Sequence, residues 1–228
     1  MGSFPKTKIW KVHQVNVAYL TLFPSLNRII MTASAAGIYG NYGQANYGSA
    51  KLALYGFGRS LAKEGAKKNI HCNIIAPLAG SRITETVMPP DLLAALKPEM
   101  VAPFVAYLCH SSCTENGSLF ELGAGYCAKV RLERSPGVLL KVDDPSFTAD
   151  AARAALPKAS DFSVTKVQYP DSMTEVDWTG LVKQSKSLAK PNDQGSGEKI
   201  RFDGQVVLVT GAGGGNLKCY KNMNINMY

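Results

Sequence analysis

The sequence is poor in charged residues and contains no long apolar run. No apolar stretch approaches the length of about 18 residues that a membrane-spanning helix needs, so no membrane span is predicted. The N-terminal residues lack the apolar core of a secretory signal peptide. Only 18% of the residues are charged, and the net charge of +8 comes from scattered lysines and arginines that are not interleaved with aromatic residues. This pattern favours a solvated surface over a nucleic-acid site or a site for an anionic small molecule.

The five cysteines do not have the spacing of a disulfide framework. Their odd number favours a protein of a reducing compartment. Cys109 and Cys113 flank a His-Ser-Ser segment that superficially resembles a metal site. No second ligand pair accompanies them, however, and residues 101–109 have a helical pattern. We therefore predict cysteines of the core or of helix ends, and no metal site.

The chain is long enough for one sizeable core, and two apolar segments predict buried strands within it. Arg28–Met31 predicts a strand that ends near Ser34, and Ile70–Ala76 predicts a second strand that stops at Pro77. A helical pattern runs between them, from Tyr47 to about Lys63. In open α/β sheets ligands bind beyond the carboxyl ends of the strands, so Ser34 and Pro77 mark a candidate site.

Ser34, Tyr47 and Lys51 carry side chains suited to acid–base chemistry. Tyr47 and Lys51 are four residues apart in the predicted helix, so both can serve one site. A nearby cation favours the phenolate and lowers the pKa of a tyrosine, which suits it to take a proton from an alcohol. Ser34 precedes Tyr47 by 13 residues, across a segment predicted to be a glycine-containing loop, and its hydroxyl could hold the same substrate oxygen.

A tyrosine and a lysine at this spacing, taken alone, are more often a solvated pair, and the preceding serine changes that balance. The serine, the spacer and Tyr-x-x-x-Lys resemble the pattern of the short-chain dehydrogenase/reductase family. Residues 28–47 and 69–84 resemble in particular the dehydrogenase region of the peroxisomal multifunctional β-oxidation enzymes, the hydratase–dehydrogenase–epimerases. This resemblance continues to about Arg134.

The resemblance implies an incomplete Rossmann-like α/β fold, a parallel sheet with helices, followed by an irregular linker. It also implies NAD-dependent oxidation of a (3R)-3-hydroxyacyl-CoA in the peroxisome. Tyr47 would then be the base, Ser34 would hold the substrate oxygen, and Lys51 would lower the pKa of Tyr47 and bind the nicotinamide ribose. In the family an asparagine holds a proton-relay water, and Asn16 is a weak match because only 18 residues separate it from Ser34.

The resemblance assigns further cofactor contacts and a dimer interface. The family's Pro-Gly pair reads Pro77-Leu78 here, and Thr84 matches the threonine that contacts the nicotinamide carboxamide. The helix that carries Tyr47 is where the subunits of the family's dimers cross, which implies a homodimer. Glycines in this helix could admit the close packing of such a crossing; they are Gly48, Gly56 and Gly58.

Downstream segments are predicted from weaker patterns. Residues 85–113 have the pattern of a helical lid, and residues 118–125 of the last strand of the sheet. A short helix is predicted over 149–155, and the polar residues 183–200 are typical of a linker.

Near the end of the chain, an apolar strand pattern leads into a glycine-rich turn, as in a dinucleotide fold. Leu217 replaces the last glycine of the family's motif, and no amphipathic helix pattern follows. The positions that fit the phosphate-binding motif are Thr210, Gly211 and Gly215.

The catalytic pattern precedes the phosphate-binding pattern, the reverse of the family's order. We therefore predict a fragment: residues 1–130 as the C-terminal portion of one dehydrogenase domain, 131–200 as its extension and linker, and 201–228 as the truncated start of a second dehydrogenase domain. The fragment is expected to be inactive alone. Two alternatives stay open: a non-catalytic product that retains the dimerisation helices, and a dehydrogenase for another oxoacyl or hydroxysteroid substrate.

Overall fold

A computed structural model describes residues 28–79, 89–91, 96–163 and 167–201, together with the backbone of two short strands at 206–207 and 226–227. The chain divides into two compact units, 1–131 and 132–228. The division lies near the predicted boundary at residue 130, and the domain assignment itself stays a prediction. Five of the predicted site residues lie outside the described residues: Asn16, Thr84, Thr210, Gly211 and Gly215.

The first unit contains a four-stranded sheet in the order β1-β2-β3-β4. Strand β1 is Arg28–Thr32, β2 is His71–Pro77, β3 is Leu119–Gly123 and β4 is Tyr126–Val130. Strands β1, β2 and β3 are parallel, and β4 runs antiparallel to β3. The predicted α/β fold with a parallel sheet is thus confirmed.

The strand predicted over 118–125 is present as β3, but it is not the last strand of the sheet, because β4 follows it. Ala124 and Gly125 both have positive φ angles, of 51° and 77°, and form a tight turn from β3 into β4. Two consecutive positive φ angles are typical of the two-residue turns that join antiparallel strands. An alanine at the first of these positions is a poor turn signal, because side chains other than glycine rarely adopt that conformation.

Helices α1 (Ala35–Tyr39), α2 (Ala45–Gly65) and α3 (Ala102–Cys109) accompany the sheet. The helix predicted over 47–63 is confirmed as α2, which is about one turn longer than predicted. The segment predicted as a loop begins instead with α1.

Helix α2 packs on one face of the sheet and α3 on the other. On the first face Leu61 is buried against Cys72 and Ile29. On the second face Leu108 is buried with Ile75 and Leu122. Helix α3 is consequently part of the core, which corrects the prediction that residues 101–109 belong to a lid. Most of the other predicted lid helix, 88–96, lies outside the described residues.

The cysteines of the first unit behave largely as predicted. Cys72 and Cys113 are buried, and Cys109 is the last residue of α3. Burial raises the pKa of the Cys72 thiol to about 11, which keeps it protonated and unreactive. Within the described ranges, no three His, Cys, Asp or Glu side chains come together as a metal site would require.

None of the helices described here combines the length and the apolar character that crossing a lipid bilayer requires.

The second unit contains α4 (Ala149–Ala159) and α5 (Trp178–Lys186). Thr148 caps α4, because its hydroxyl accepts a hydrogen bond from the amide of Ala151. The short helix predicted at 149 is confirmed, and it extends one turn beyond the prediction. Strands β5 (Val206–Val207) and β6 (Asn226–Met227) form a separate parallel pair.

The segment predicted as a linker is partly ordered. Its first residues belong to α5, and the irregular remainder is hydrogen-bonded to residues 141–153. The Asn192 side chain accepts from the Lys141 amide at 2.6 Å and donates to the Lys141 carbonyl at 2.9 Å. Gln194 Nε2 donates to the Ser146 carbonyl at 2.8 Å. These bonds satisfy backbone groups that no helix or strand pairs, so the segment packs as part of the second unit.

Candidate active site

Ser34 lies immediately beyond β1, as the N-cap of α1. Its backbone is extended, and its Oγ accepts a hydrogen bond from the Ala36 amide at 3.3 Å. The preceding residue is fixed to the sheet, because the Ala33 amide donates to the Ile75 carbonyl at 2.7 Å. Serine is among the preferred residues for an N-cap. Since the cap bond uses a lone pair of the oxygen, the Ser34 O–H can still donate to a substrate oxygen.

Lys51 reaches the same end of β1 from the first half of α2. Its Nζ donates to the Thr32 carbonyl at 2.9 Å and lies 5.6 Å from the centroid of the Tyr47 ring. An ammonium group has three donors, so the bond to Thr32 leaves two for other partners. Tyr47 is 41% exposed, which leaves its side chain accessible to a ligand.

The close approach of α1 to α2 brings these groups to one place. Gly37 is buried at the contact, where a Cβ would lie 2.8 Å from the Leu52 amide nitrogen and 3.0 Å from Lys51 Cβ. A Cβ on Gly48 would lie 2.9 Å from the Ala36 carbonyl oxygen. Larger residues at either glycine would push the helices apart, and with them the segment that carries Ser34.

These contacts correct the role expected for two glycines of α2. Gly48 packs against α1, and a Cβ on Gly58 would meet the Ile74 side chain at 2.8 Å. Both glycines are therefore used inside the unit. Gly56 is exposed, and a Cβ there would meet no atom within 4 Å, so of the three it is the one that stays available to a partner.

The end of β2 lies beside Ser34. Thr32, the last residue of β1, is level with Ile75 of β2, and the Ala33 amide donates to the Ile75 carbonyl, so Ser34 just beyond β1 and Pro77 at the end of β2 lie at adjacent strand ends. Leu78 is 50% exposed, and its amide donates to the Leu122 carbonyl at 2.7 Å.

The absence of a side chain at Gly123 permits this path of the chain after β2. A Cβ at Gly123 would lie 2.5 Å from the Leu78 carbonyl oxygen. The segment after β2 therefore stays close to the end of β3, at the edge of the sheet where ligands bind in parallel α/β folds.

The structure brings together four of the predicted site residues at this edge of the sheet. Ser34 and Pro77 lie at adjacent strand ends, Lys51 is bonded to the end of β1, and Tyr47 lies beside Lys51 on α2. The Thr32 carbonyl was not predicted as part of the site. The sequence could not have indicated it, because every residue has a backbone carbonyl oxygen.

Residues 16–90 match the family model described as "short chain dehydrogenase". The chain is 53% identical over 194 residues to the peroxisomal hydratase-dehydrogenase-epimerase of Neurospora crassa, covering 85% of this chain and 21% of that protein. It is 52% identical over 162 residues to the peroxisomal multifunctional enzyme type 2 of Mus musculus, covering 71% and 21%. The chain thus spans about a fifth of the length of these relatives.

A solved structure shares the fold as well as the sequence. The full-length peroxisomal multifunctional enzyme type 2 of Drosophila melanogaster matches with a TM-score of 0.61 and 37% identity, over 73% of this chain and 31% of that one. The matches in sequence, family model and fold agree with one another. In sequence and in fold the chain is therefore similar to the short-chain dehydrogenase family of oxidoreductases, whose members use a nicotinamide dinucleotide, NAD or NADP.

Proposed function

We propose that this chain carries the acid–base site of an NAD-dependent (3R)-3-hydroxyacyl-CoA dehydrogenase of peroxisomal fatty-acid β-oxidation. The observation that supports the proposal is the position of Lys51, which is bonded to the Thr32 carbonyl, two residues before Ser34, and lies beside the Tyr47 ring. The substrate is proposed from the family resemblance. The compartment is proposed from relatives at 46% to 53% identity, two named peroxisomal hydratase-dehydrogenase-epimerase and one named peroxisomal multifunctional enzyme type 2.

In the proposed reaction Tyr47 is the general base. Its oxygen takes the proton of the substrate 3-hydroxyl, and the Ser34 O–H donates to the same oxygen, which fixes the orientation of the alcohol. Lys51 lies beside this base, with its Nζ 5.6 Å from the centroid of the Tyr47 ring. Bound NAD supplies the hydride acceptor for the carbon that is oxidised.

The residues near β1 and β2 fit the nicotinamide end of such a cofactor. Lys51 keeps donors free for a ribose hydroxyl, and Pro77 and Leu78 border the accessible strand ends. NAD rather than NADP is proposed on the resemblance alone. The roles of five further residues stay predictions, since these residues lie outside the described part of the chain: Asn16, Thr84, Thr210, Gly211 and Gly215.

A homodimer that pairs through α2 is part of the proposal. The side of α2 that faces away from the sheet is exposed at Leu52, Ala53 and Gly56. An exposed leucine beside small residues suits close packing against a second helix. This face also favours the second candidate function, a non-catalytic product that acts by pairing with complete subunits.

Substitution of Tyr47 and Lys51 tests the proposed chemistry. Tyr47→Phe removes only the phenolic oxygen, so in the intact parent domain turnover of a (3R)-3-hydroxyacyl-CoA should fall by at least about a hundredfold while NAD binding is retained. Lys51→Ala should weaken both turnover and NAD affinity, because its ammonium serves both. Turnover is followed as NADH absorbance, and nucleotide binding by calorimetry with NAD and with NADP.

The measurements separate the candidate functions. NAD binding without turnover of any 3-hydroxyacyl-CoA, but with turnover of a hydroxysteroid, would reject the proposed substrate. Absence of any nucleotide binding by the chain, together with dimer formation, would favour the non-catalytic product. Substantial turnover in Tyr47→Phe would refute the assignment of Tyr47 as the base.

A further inference from the structure

Helix α1 begins at the serine of the candidate site but has little stability of its own. It contains only five residues, Ala35–Tyr39, with Gly37 at its centre. A helix of this length is not stable in water, and a central glycine lowers its stability further. Its conformation therefore depends on tertiary contacts, and so does the position of the Ser34 hydroxyl that caps it.

Contacts at three points hold this short helix. At its N-terminus, Ala33 is bonded to β2, and Ser34 caps the first turn. At its centre, Gly37 lies against α2. At its C-terminus, the Tyr39 hydroxyl donates to Glu121 Oε2 at 2.7 Å. The last of these bonds joins residues 82 positions apart in the sequence.

The bond from Tyr39 spans the sheet above the end of β2. Glu121 is level with Ala76 of β2 and points to the face that α1 and α2 cover, because Ala76 packs there with Ile38. As an acceptor, the Glu121 carboxylate also holds the pKa of Tyr39 above its ordinary value, so the phenol stays protonated and able to donate.

We infer that Tyr39 is a positioning residue, which through its hydrogen bond to Glu121 fixes α1 on the sheet and thereby orients Ser34. The significance of this role for catalysis rests on the function proposed above. Tyr39 is not part of the hydrophobic core, since 65% of its surface is exposed. Its ring therefore contributes little burial, and the hydroxyl is the group whose loss matters.

Tyr39→Phe tests the inference, with Tyr42→Phe as the matched control. Both substitutions remove one phenolic oxygen from the same segment, but Tyr42 is fully exposed. A typical hydrogen bond changes a local opening equilibrium by about two- to tenfold. In Tyr39→Phe, amide hydrogen exchange of Ala36, Gly37 and Ile38 should accelerate by about that factor.

The exchange should change only in α1. The amides of Ala36, Gly37 and Ile38 are bonded to Ser34 Oγ or to the Ser34 carbonyl, so their exchange reports on the cap directly. Amides of α2 and β2 should exchange as in the unmodified chain. Tyr42→Phe should leave all of these rates unchanged.

Substitution of the acceptor gives a second test. Glu121→Gln keeps an oxygen that can accept from Tyr39 and should preserve the slow exchange of α1. Glu121→Leu removes the acceptor and should reproduce Tyr39→Phe, with no further effect when the two are combined. In the intact parent domain, Tyr39→Phe should lower kcat for a 3-hydroxyacyl-CoA by about two- to tenfold and leave the KM for NAD unchanged.

Unchanged exchange at residues 36–38 in Tyr39→Phe, or an equal acceleration in Tyr42→Phe, would overturn the inference. Faster exchange with an unchanged kcat would show that the bond orders α1 but does not orient Ser34 for catalysis, which also refutes the positioning role. Failure of the proposed function is a separate result. It would appear as full turnover in Tyr47→Phe, whatever the exchange rates of α1 show.

Discussion

Gly37→Ala and Gly56→Ala are expected to change the stability of the first unit in opposite directions, although the substitution is the same. Both glycines lie in helices, so alanine should gain about 1 kcal/mol of helix propensity at each position. At Gly56 a Cβ meets nothing within 4 Å, and the gain should appear as increased stability. At Gly37 the new Cβ would lie 2.8 Å from a backbone nitrogen of α2 and 3.1 Å from the Gly48 carbonyl oxygen.

The backbone atoms of α2 that face Gly37 cannot move aside cheaply. Overpacking of this kind costs about 1–3 kcal/mol, so Gly37→Ala should be destabilised by up to about 2 kcal/mol after the propensity gain. Because that gain is common to both variants, the difference between them measures the clash alone, and we expect about 1–3 kcal/mol. In Gly37→Ala the displaced α1 should also lower turnover by moving Ser34.

The assay must report on the first unit separately, since the chain has two units. Native-state hydrogen exchange of the β2 amides at rising urea concentrations does so, because these amides open only with the sheet. Measurements at two protein concentrations would reveal any association through the Gly56 face. A Gly37→Ala variant at least as stable as Gly56→Ala would refute the close contact between α1 and α2.

Two further predictions concern the loop between α3 and β3. Asn73→Ala should destabilise the first unit by about 1–3 kcal/mol for each buried group left without a partner, because Asn73 donates to the Glu115 carbonyl at 2.8 Å and accepts from the Ser118 amide at 3.1 Å. The hydrogen exchange of the β2 amides measures this loss. In the exposed control Asn41→Ala the stability should change by no more than about 0.5 kcal/mol, and an equal loss in Asn73→Ala and Asn41→Ala would contradict the reasoning. Hydrogen bonds from Lys129, and secondly from Ser118, hold the pKa of Glu115 below its ordinary value. A carboxyl with a lowered pKa stabilises the fold above its unfolded-state pKa of about 4.3, and that contribution is lost as the pH falls through the folded-state pKa. The Glu115 side chain is 36% exposed, so the contribution should not exceed about 1 kcal/mol. Glu115→Gln should flatten the acid side of the stability profile, and an unchanged loss of stability below about pH 5 would exclude Glu115 as a cause.

The sequence by itself determined the local elements and the chemistry of the candidate site. The apolar run at Arg28 and the helical pattern after Tyr47 predict β1 and α2, because their periodicity follows from neighbouring residues alone. The four-residue spacing of Tyr47 and Lys51 places both on one side of α2 for the same reason. The family pattern around Ser34 is equally a property of consecutive residues.

The tertiary structure decided which groups surround these residues. Lys51 binds the Thr32 carbonyl, and Tyr39 reaches Glu121 across the sheet, because the fold brings together residues 19 and 82 positions apart. Gly48 packs against α1, a contact that its place in the helical pattern could not reveal. The second unit shows the same limit, since a segment with the composition of a linker packs through the side chains of Asn192 and Gln194. Composition and periodicity describe a segment's own preferences, whereas these contacts depend on surfaces that exist only once the chain has folded.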